Sequence, residues 1–200
     1  MSLGRLLADR FIEFIRGSLV AGSDDGPVVL VAANDRDLLK CDSTADAGLA
    51  WVDGKGLPIV VTRTGKVSTT STTAVNATDL VLPVLSGRFY KFRFEVVCRT
   101  ANAVHGIGFT VTDPGETRFA CHAFMNTGGA AMDSGHITTG GTVVQFAAFG
   151  AANQDTLAVI EGIIVPSADG DLQLQFCTEN AATQVSIESG SHGMLWDMSA

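Results

Sequence analysis

Tyr90-Lys91-Phe92-Arg93-Phe94-Glu95-Val96-Val97-Cys98 places Tyr90, Phe92, Phe94, Val96 and Cys98 at every second position, with Lys91, Arg93 and Glu95 between them. In extended backbone successive side chains point to opposite faces, so this spacing buries one face and leaves the other wet. A helix would scatter the same residues around its circumference. The segment therefore reads as a half-buried strand and anchors an antiparallel sheet.

The same alternation extends in both directions. Upstream, Leu80, Leu82 and Val84 share one face and lead into a turn at Ser86-Gly87. Further upstream, Val67-Ser68-Thr69-Thr70-Ser71-Thr72-Thr73 prefers extended backbone but has little to bury, which suits an edge strand or linker. Downstream, strands are expected over 105–112, 118–125, 142–149, 156–165, 172–177, 183–188 and 194–198. Turns separate them at Asp113-Pro114-Gly115, Gly140-Gly141 and Asp169-Gly170-Asp171. A single sheet would leave one apolar face wet, so this many strands favour two packed sheets. The fold class read here is mainly β: an N-terminal amphipathic helix, a short extended neck, and a C-terminal antiparallel β-sandwich of jelly-roll type.

Composition agrees and excludes several functions. The chain has 200 residues, 46% of them hydrophobic, enough for a real core, while 22 glycines and 17% charged residues favour many turns over long exposed helices. A net charge of −8 argues against a phosphate-binding surface, so no nucleic-acid partner is expected. No stretch of about 18 apolar residues occurs, and no membrane span is expected. Cys41, Cys98, Cys121 and Cys177 are scattered without a C-x-x-C pair. Four cysteines permit about three pairings that sequence cannot rank, and small thiols at strand positions pack well as free cysteines. Free thiols are expected.

The first residues follow a different period. Ser2 is a good N-cap and Gly17 a good helix stop, and Leu3, Leu6, Leu7, Phe11, Phe14 and Ile15 recur at three- and four-residue spacings. Arg5, Asp9, Arg10, Glu13 and Arg16 interrupt the run too often for a signal peptide. A helix this short, roughly 20 Å long, is marginal alone and must bury its stripe against something. Either it packs on the β domain or it self-associates, with Gly4, Leu7, Phe11 and Phe14 as a coiled-coil seam. From residue 21 to 66 come short apolar runs broken by turn chemistry at Asp24-Asp25-Gly26-Pro27 and Asp53-Gly54-Lys55-Gly56. None of these runs makes a core by itself. The domains expected are an anchoring helix (1–20), a connector (21–66) and a β head (67–200).

Within the connector, Leu38-Leu39-Lys40-Cys41-Asp42-Ser43-Thr44-Ala45-Asp46-Ala47-Gly48-Leu49-Ala50-Trp51 resembles the short neck repeat of bacteriophage tail fibres, head fibres and related virion appendages, where three chains run side by side. Gly87-Arg88-Phe89-Tyr90-Lys91-Phe92-Arg93-Phe94-Glu95, then His105-Gly106-Ile107-Gly108-Phe109 and the closing Ile187-Glu188-Ser189-Gly190-Ser191, resemble the head domain of such fibres. The resemblance implies a structural protein on the exterior of a phage particle, assembled in the host cytoplasm: a trimeric capsid decoration protein or head fibre. The alternative it leaves open is a short tail fibre or tail-tip protein that binds a host receptor. Expected partners are sister copies in a homotrimer, the major capsid protein or other virion subunits, and a host cell-surface glycan or protein. Assembly contacts are assigned to Leu7, Phe11, Phe14, Leu39, Leu49 and Trp51.

Catalytic chemistry finds little support. Asp133, Ser134 and His136 carry the residue types of a hydrolase triad, but triads draw their members from separate elements, and these lie together in a long Gly-rich loop over 126–141. That loop is a natural binding site or inter-subunit contact. His105, His122, His136 and His192 are dispersed without zinc spacing, although a trimer axis would gather three copies of His105 or His192. Neither phosphate-binding glycine motif occurs, and Gly106-Ile107-Gly108 reads as a strand with close backbone packing. No catalytic residue, cofactor site or metal site is assigned.

Overall fold

The computed structural model describes residues 57–127, 132–147 and 151–199 in full and, within 1–56, the backbone of four short strands. The chain divides into two compact units, Met1–Lys55 and Gly56–Ala200.

In the first unit, β1 (Ser18–Ser23) pairs with β2 (Gly26–Val31), and β3 (Leu38–Cys41) pairs with β4 (Leu49–Val52), each as a separate two-stranded antiparallel sheet. Ser23 stands opposite Gly26, while the expected Asp24-Asp25 turn lies outside the described residues. Leu39 stands opposite Trp51, and Cys41 opposite Leu49. Ser18 to Val20, the end of the expected helical segment, are strand residues. The rest of that helix, including Leu7, Phe11 and Phe14, lies outside the described residues.

The second unit contains β5 (Ile59–Thr62), β6 (Val67–Thr69), β7 (Val75–Val84), β8 (Tyr90–Thr100), β9 (Ile107–Thr112), β10 (Glu116–Asn126), β11 (Met132–Ile137), β12 (Val144–Phe146), β13 (Thr156–Pro166), β14 (Gly170–Thr178), β15 (Val185–Ile187) and β16 (His192–Asp197). An eight-stranded sheet runs β11-β10-β13-β8 and continues past β8 as two consecutive short partners. Tyr90 to Glu95 pair with β16, and Cys98 to Thr100 with β15. Beyond these, β5 pairs with β16 and β6 with β15. A four-stranded sheet runs β12-β9-β14-β7, and every pairing is antiparallel. Residues 57–62, expected in the connector, thus join the larger unit.

Both sheets face one core. Tyr90, Phe92, Phe94, Val96 and Cys98 of β8 are buried, as their spacing predicts, together with Leu80, Leu82 and Val84 of β7. Phe109 and Phe146 meet edge to face at 6.2 Å, and Phe92 stacks on Phe119 at 6.1 Å. Burying a side chain of this size contributes roughly 1.5–3 kcal/mol, so the aromatic row carries much of the packing energy. The close approach expected at Gly106 is present: a Cβ there would strike the carbonyl oxygen of Phe146.

One break had to be bridged. Between the segments paired to β16 and β15, Val97 of β8 faces residues 188–191, which are not strand. Its carbonyl accepts from the Glu188 N–H (2.8 Å), and its N–H donates to the Ser191 hydroxyl (3.0 Å). Ser191 is fully buried and donates to the Glu188 carbonyl at 2.8 Å, so one hydroxyl both closes the bulge and completes the ladder. The neighbouring break between β5 and β6 is tied to it by Arg63 N–H to Ser191 O (2.8 Å) and Gly190 N–H to Arg63 O (2.9 Å). The buried Arg63 side chain then reaches the Thr78 carbonyl, the Thr78 hydroxyl (2.9 Å) and Asp79 (3.1 Å). Those residues lie where β7 bulges against β14, with Asp79 at φ 72°. Gln173 fills the bulge by donating to the carbonyls of Ala77 (3.1 Å) and Leu80 (3.2 Å).

The second sheet edge differs from expectation. The stretch 126–141, read as a long exposed loop, contains β11, which pairs with β10 from Cys121↔Ile137 to Asn126↔Met132. Its sequence lacks apolar alternation because only Ile137 among its side chains is fully buried. Backbone pairing defines the strand. Glycine at 135 lets it lie against Val144 of β12, whose methyl would collide with a Cβ there.

Where β11 leads toward β12, the Glu116 carboxyl lies near that of Asp113, and the Gly140 N–H reaches Glu116 at 3.5 Å. The Asp113 hydrogen bond, then burial and the Asp113 charge, hold the Glu116 carboxyl above its ordinary value. A carboxyl whose folded value lies above its unfolded one adds stability fully present below the unfolded value and lost as pH rises through the folded one.

Two outcomes follow. Ser191→Ala orphans the Val97 N–H and costs about 1–3 kcal/mol in urea unfolding. Glu116→Gln keeps a donor without the charge, so its urea midpoint exceeds wild type at pH 7 and converges with it on acidification.

Candidate functional site

The outward face of the larger sheet brings polar side chains together across strands. Directly opposed residues on an antiparallel sheet share a face, and their Cβ atoms lie about 4.5–5.5 Å apart. Following the register, one row reads Val60, Met194, Arg93, Glu161, His122, His136. The next reads Thr62, His192, Glu95, Val159, Phe124, Ser134. These rows hold a salt-bridge cluster beside an aromatic one.

In the first cluster Arg93 meets Glu95 at 2.8 Å and Glu161 at 3.2 Å, and His192 Nε2 lies 3.6 Å from Glu95. These groups are roughly one-third exposed, where solvent screens such pairs to about 0–1 kcal/mol each. They fix side-chain directions more than they stabilise the fold. Lys91 lies over the Trp196 ring, 5.7 Å from its centroid.

In the second cluster the His122 ring stacks on Phe124 at 5.3 Å and meets His136 edge-on at 3.6 Å. A depression of about 550 Å3 opens here, its walls including Lys91, His122, Phe124, His136, Glu161 and Ile163. It combines an aromatic face, two imidazoles, a carboxylate and an ammonium, the mixture a polar ligand with one apolar side requires.

The four histidines divide into two kinds. His105 has both ring nitrogens engaged, Nδ1 with the Thr183 hydroxyl at 2.6 Å and Nε2 with Asn180 at 3.3 Å. His192 is engaged by Glu95 and, at 3.3 Å, by the Gly190 carbonyl. Neither has a nitrogen spare for the axial ion considered from sequence. His122 Nδ1, by contrast, is shielded from water without a hydrogen-bond partner. The opposition of His122 and His136 escaped the sequence reading because fourteen positions separate them and 126–141 carried no strand signal. Cys121 and His122 do take opposite faces, as expected.

Other sequence-derived candidates are placed as follows. Leu39, Leu49 and Trp51 occupy β3 and β4, with Leu39 and Trp51 register partners. Asp133, Ser134 and His136 all lie on β11. The Asp133 carboxylate accepts from the adjacent Ser134 N–H at 2.9 Å, and its register partner is the buried Met125, away from the side that His136 shares with His122. Among the described residues no group of three or more His, Cys, Asp and Glu gathers to enclose a metal ion. No helix among them is long and apolar enough to cross a membrane.

The described cysteines are free and buried, as expected. Burial, with the nearby Glu161 charge, pushes Cys121 up to about 12, and burial pushes Cys98 and Cys177 up as well. Thiolate is the reactive form.

No protein-family model matches the chain. No curated protein matches it either. Among solved structures, a candidate sugar-binding protein from Bacteroides thetaiotaomicron is similar over 84% of this chain and 85% of its own, at 9% identity and a TM-score of 0.26. The VP2 subviral particle of infectious bursal disease virus is similar over 84% of this chain and 48% of its own, at 12% identity and a TM-score of 0.19. The Gx strain of that virus gives 89%, 48%, 14% and 0.17 respectively. The chain thus spans about half the length of the viral proteins it resembles. The likenesses are weak, to viral capsid β-domains and to a sugar-binding protein.

In a Cys41→Ser background the native protein is expected to leave a thiol-titrating disulfide reagent unreacted at pH 8, and to release three equivalents once unfolded. Reaction in the native state places a thiol at the surface.

Proposed function

We propose that this chain is a structural protein of a bacteriophage virion, a homotrimeric capsid decoration protein or head fibre that attaches through its N-terminal region and displays a β-sandwich head. The observation that carries the reading is the leading unit, whose described strands form only two separate hairpins, of six and four residues per strand. An isolated two-stranded hairpin is marginal in water, and on this reading sister chains or a virion surface complete the unit. Of the neck-like stretch, Leu38 to Cys41 and Leu49 to Trp51 lie on paired strands, where the resemblance expects three chains to meet.

The head supports the same reading. With β5 and β6 taken as one interrupted strand, and β15 and β16 as another, eight principal strands divide four to each sheet. Their orders are β5/β6, β15/β16, β8, β13 and β7, β14, β9, β12. We read this order as that of a jelly roll, with the β10–β11 hairpin inserted after β9 and added beside β13. In this role the protein acts by adhesion and mechanical reinforcement and catalyses no reaction. Its partners are sister copies and the major capsid protein or other virion subunits, on the particle exterior.

A second reading, a short tail fibre or tail-tip protein that binds a host cell-surface glycan or protein, is favoured by one feature. The depression beside Phe124 and His122 lies on an outward sheet face.

Sedimentation equilibrium of the full chain is expected to give three times the 20.8 kDa chain mass. Phe11→Asp is expected to give the single-chain mass while the β head keeps its circular dichroism. A wild-type monomer, or a Phe11→Asp variant that still trimerises and joins particles, contradicts the assignment.

A further inference from the structure

We propose that His122 and His136 form a surface site for a borderline divalent transition-metal ion such as Zn2+ or Ni2+. The inference does not rest on the virion reading.

Three observations converge. First, β10 and β11 place the two histidines directly opposite each other, so both imidazoles leave the same face of the sheet from neighbouring strands. Cβ atoms about 4.5–5.5 Å apart let two imidazole nitrogens reach a common ion at bonds of about 2.0–2.1 Å. Second, among the described residues no hydrogen bond engages either ring, whereas His105 and His192 are held by hydrogen bonds or an ion pair. Neutral imidazole with a spare nitrogen is the ligand these metals prefer. A shielded, unpartnered nitrogen such as His122 Nδ1 is also unusual in a settled structure. Third, Glu161 is the register partner of His122 on its other side and lines the same depression, which puts an anionic charge next to a bound cation.

The site has two protein donors, and solvent completes the coordination. At a ring separation of 3.6 Å the imidazoles are closer than two ligands of one ion, so binding requires one ring to swing away. His136 does so because it is exposed on the edge strand, while His122 is held against Phe124. Arg93 stays paired with Glu161 at 3.2 Å, which tempers that carboxylate's charge, and Lys91, on the wall of the depression, sits over the Trp196 ring.

The test is calorimetric titration of the untagged full chain with ZnCl2 or NiCl2 alone at pH 7.5, beside His122→Ala, His136→Ala, the double variant and His105→Ala. One ion per chain is expected to bind the wild type and His105→Ala. Each single site variant is expected to weaken binding at least about tenfold, and the double variant to abolish it. Wild-type binding is expected to weaken on acidification, because protons compete with the metal for its ligands. Saturating Zn2+ should raise the wild-type melting temperature but not that of the double variant, whose folding is checked by circular dichroism. Absence of binding by the wild type, or affinity unchanged in the double variant, overturns the proposal.

Discussion

The larger unit depends on one strand being paired along its whole length. β8 lies at the middle of the eight-stranded sheet, its inward residues forming the aromatic spine of the core. Its second edge is covered by two short strands, and the gap between them falls at Val97. An unpaired backbone amide buried there would cost as much as a lost hydrogen bond, so the bulge at 188–191 has to return a donor and an acceptor. Ser191 and Glu188 supply them, and Arg63 carries the constraint outward to the bulge in β7. Two sheets are thereby linked through a short chain of polar contacts that runs from the buried Ser191 and Arg63 to Thr78 and Asp79 at the surface.

This division of labour leaves the faces free for different uses. Inward positions alternate along β8, and the interior tolerates little change, as the glycine at 106 against the Phe146 carbonyl illustrates. Outward positions carry charges whose pairs are weak and screened, interrupted by the aromatic and imidazole cluster at the β10–β11 edge. An edge strand ordinarily invites pairing with another chain. Here β11 is short, and its outward side presents Ser134 and His136 rather than an apolar strip.

Much of the head was legible because burial and strand period coincide. Tyr90 to Cys98 alternated in sequence and alternate in burial, and turns fall where Gly87, Gly115 and Gly141 adopt positive φ. What escaped was structure defined by pairing rather than by side-chain burial. Met132 to Ile137 contribute a single fully buried side chain, so no periodic signal marked β11, and the His122–His136 contact depends on that strand's register. Ile59 to Thr62 alternate only between half-buried and exposed, which made an edge strand of the head look like connector. Of the assembly residues, Leu39, Leu49 and Trp51 fall on paired strands, whereas Leu7, Phe11 and Phe14 lie outside the described residues.

The central claim is that the leading unit is completed by other chains while the head folds by itself. Hydrogen exchange of the full-length protein across a dilution series measures this directly. Amides of 18–52 are expected to be protected at high concentration and to lose protection on dilution, while those of 57–199 keep theirs throughout. Protection of 18–52 that stays constant down to a monodisperse monomer would contradict the account.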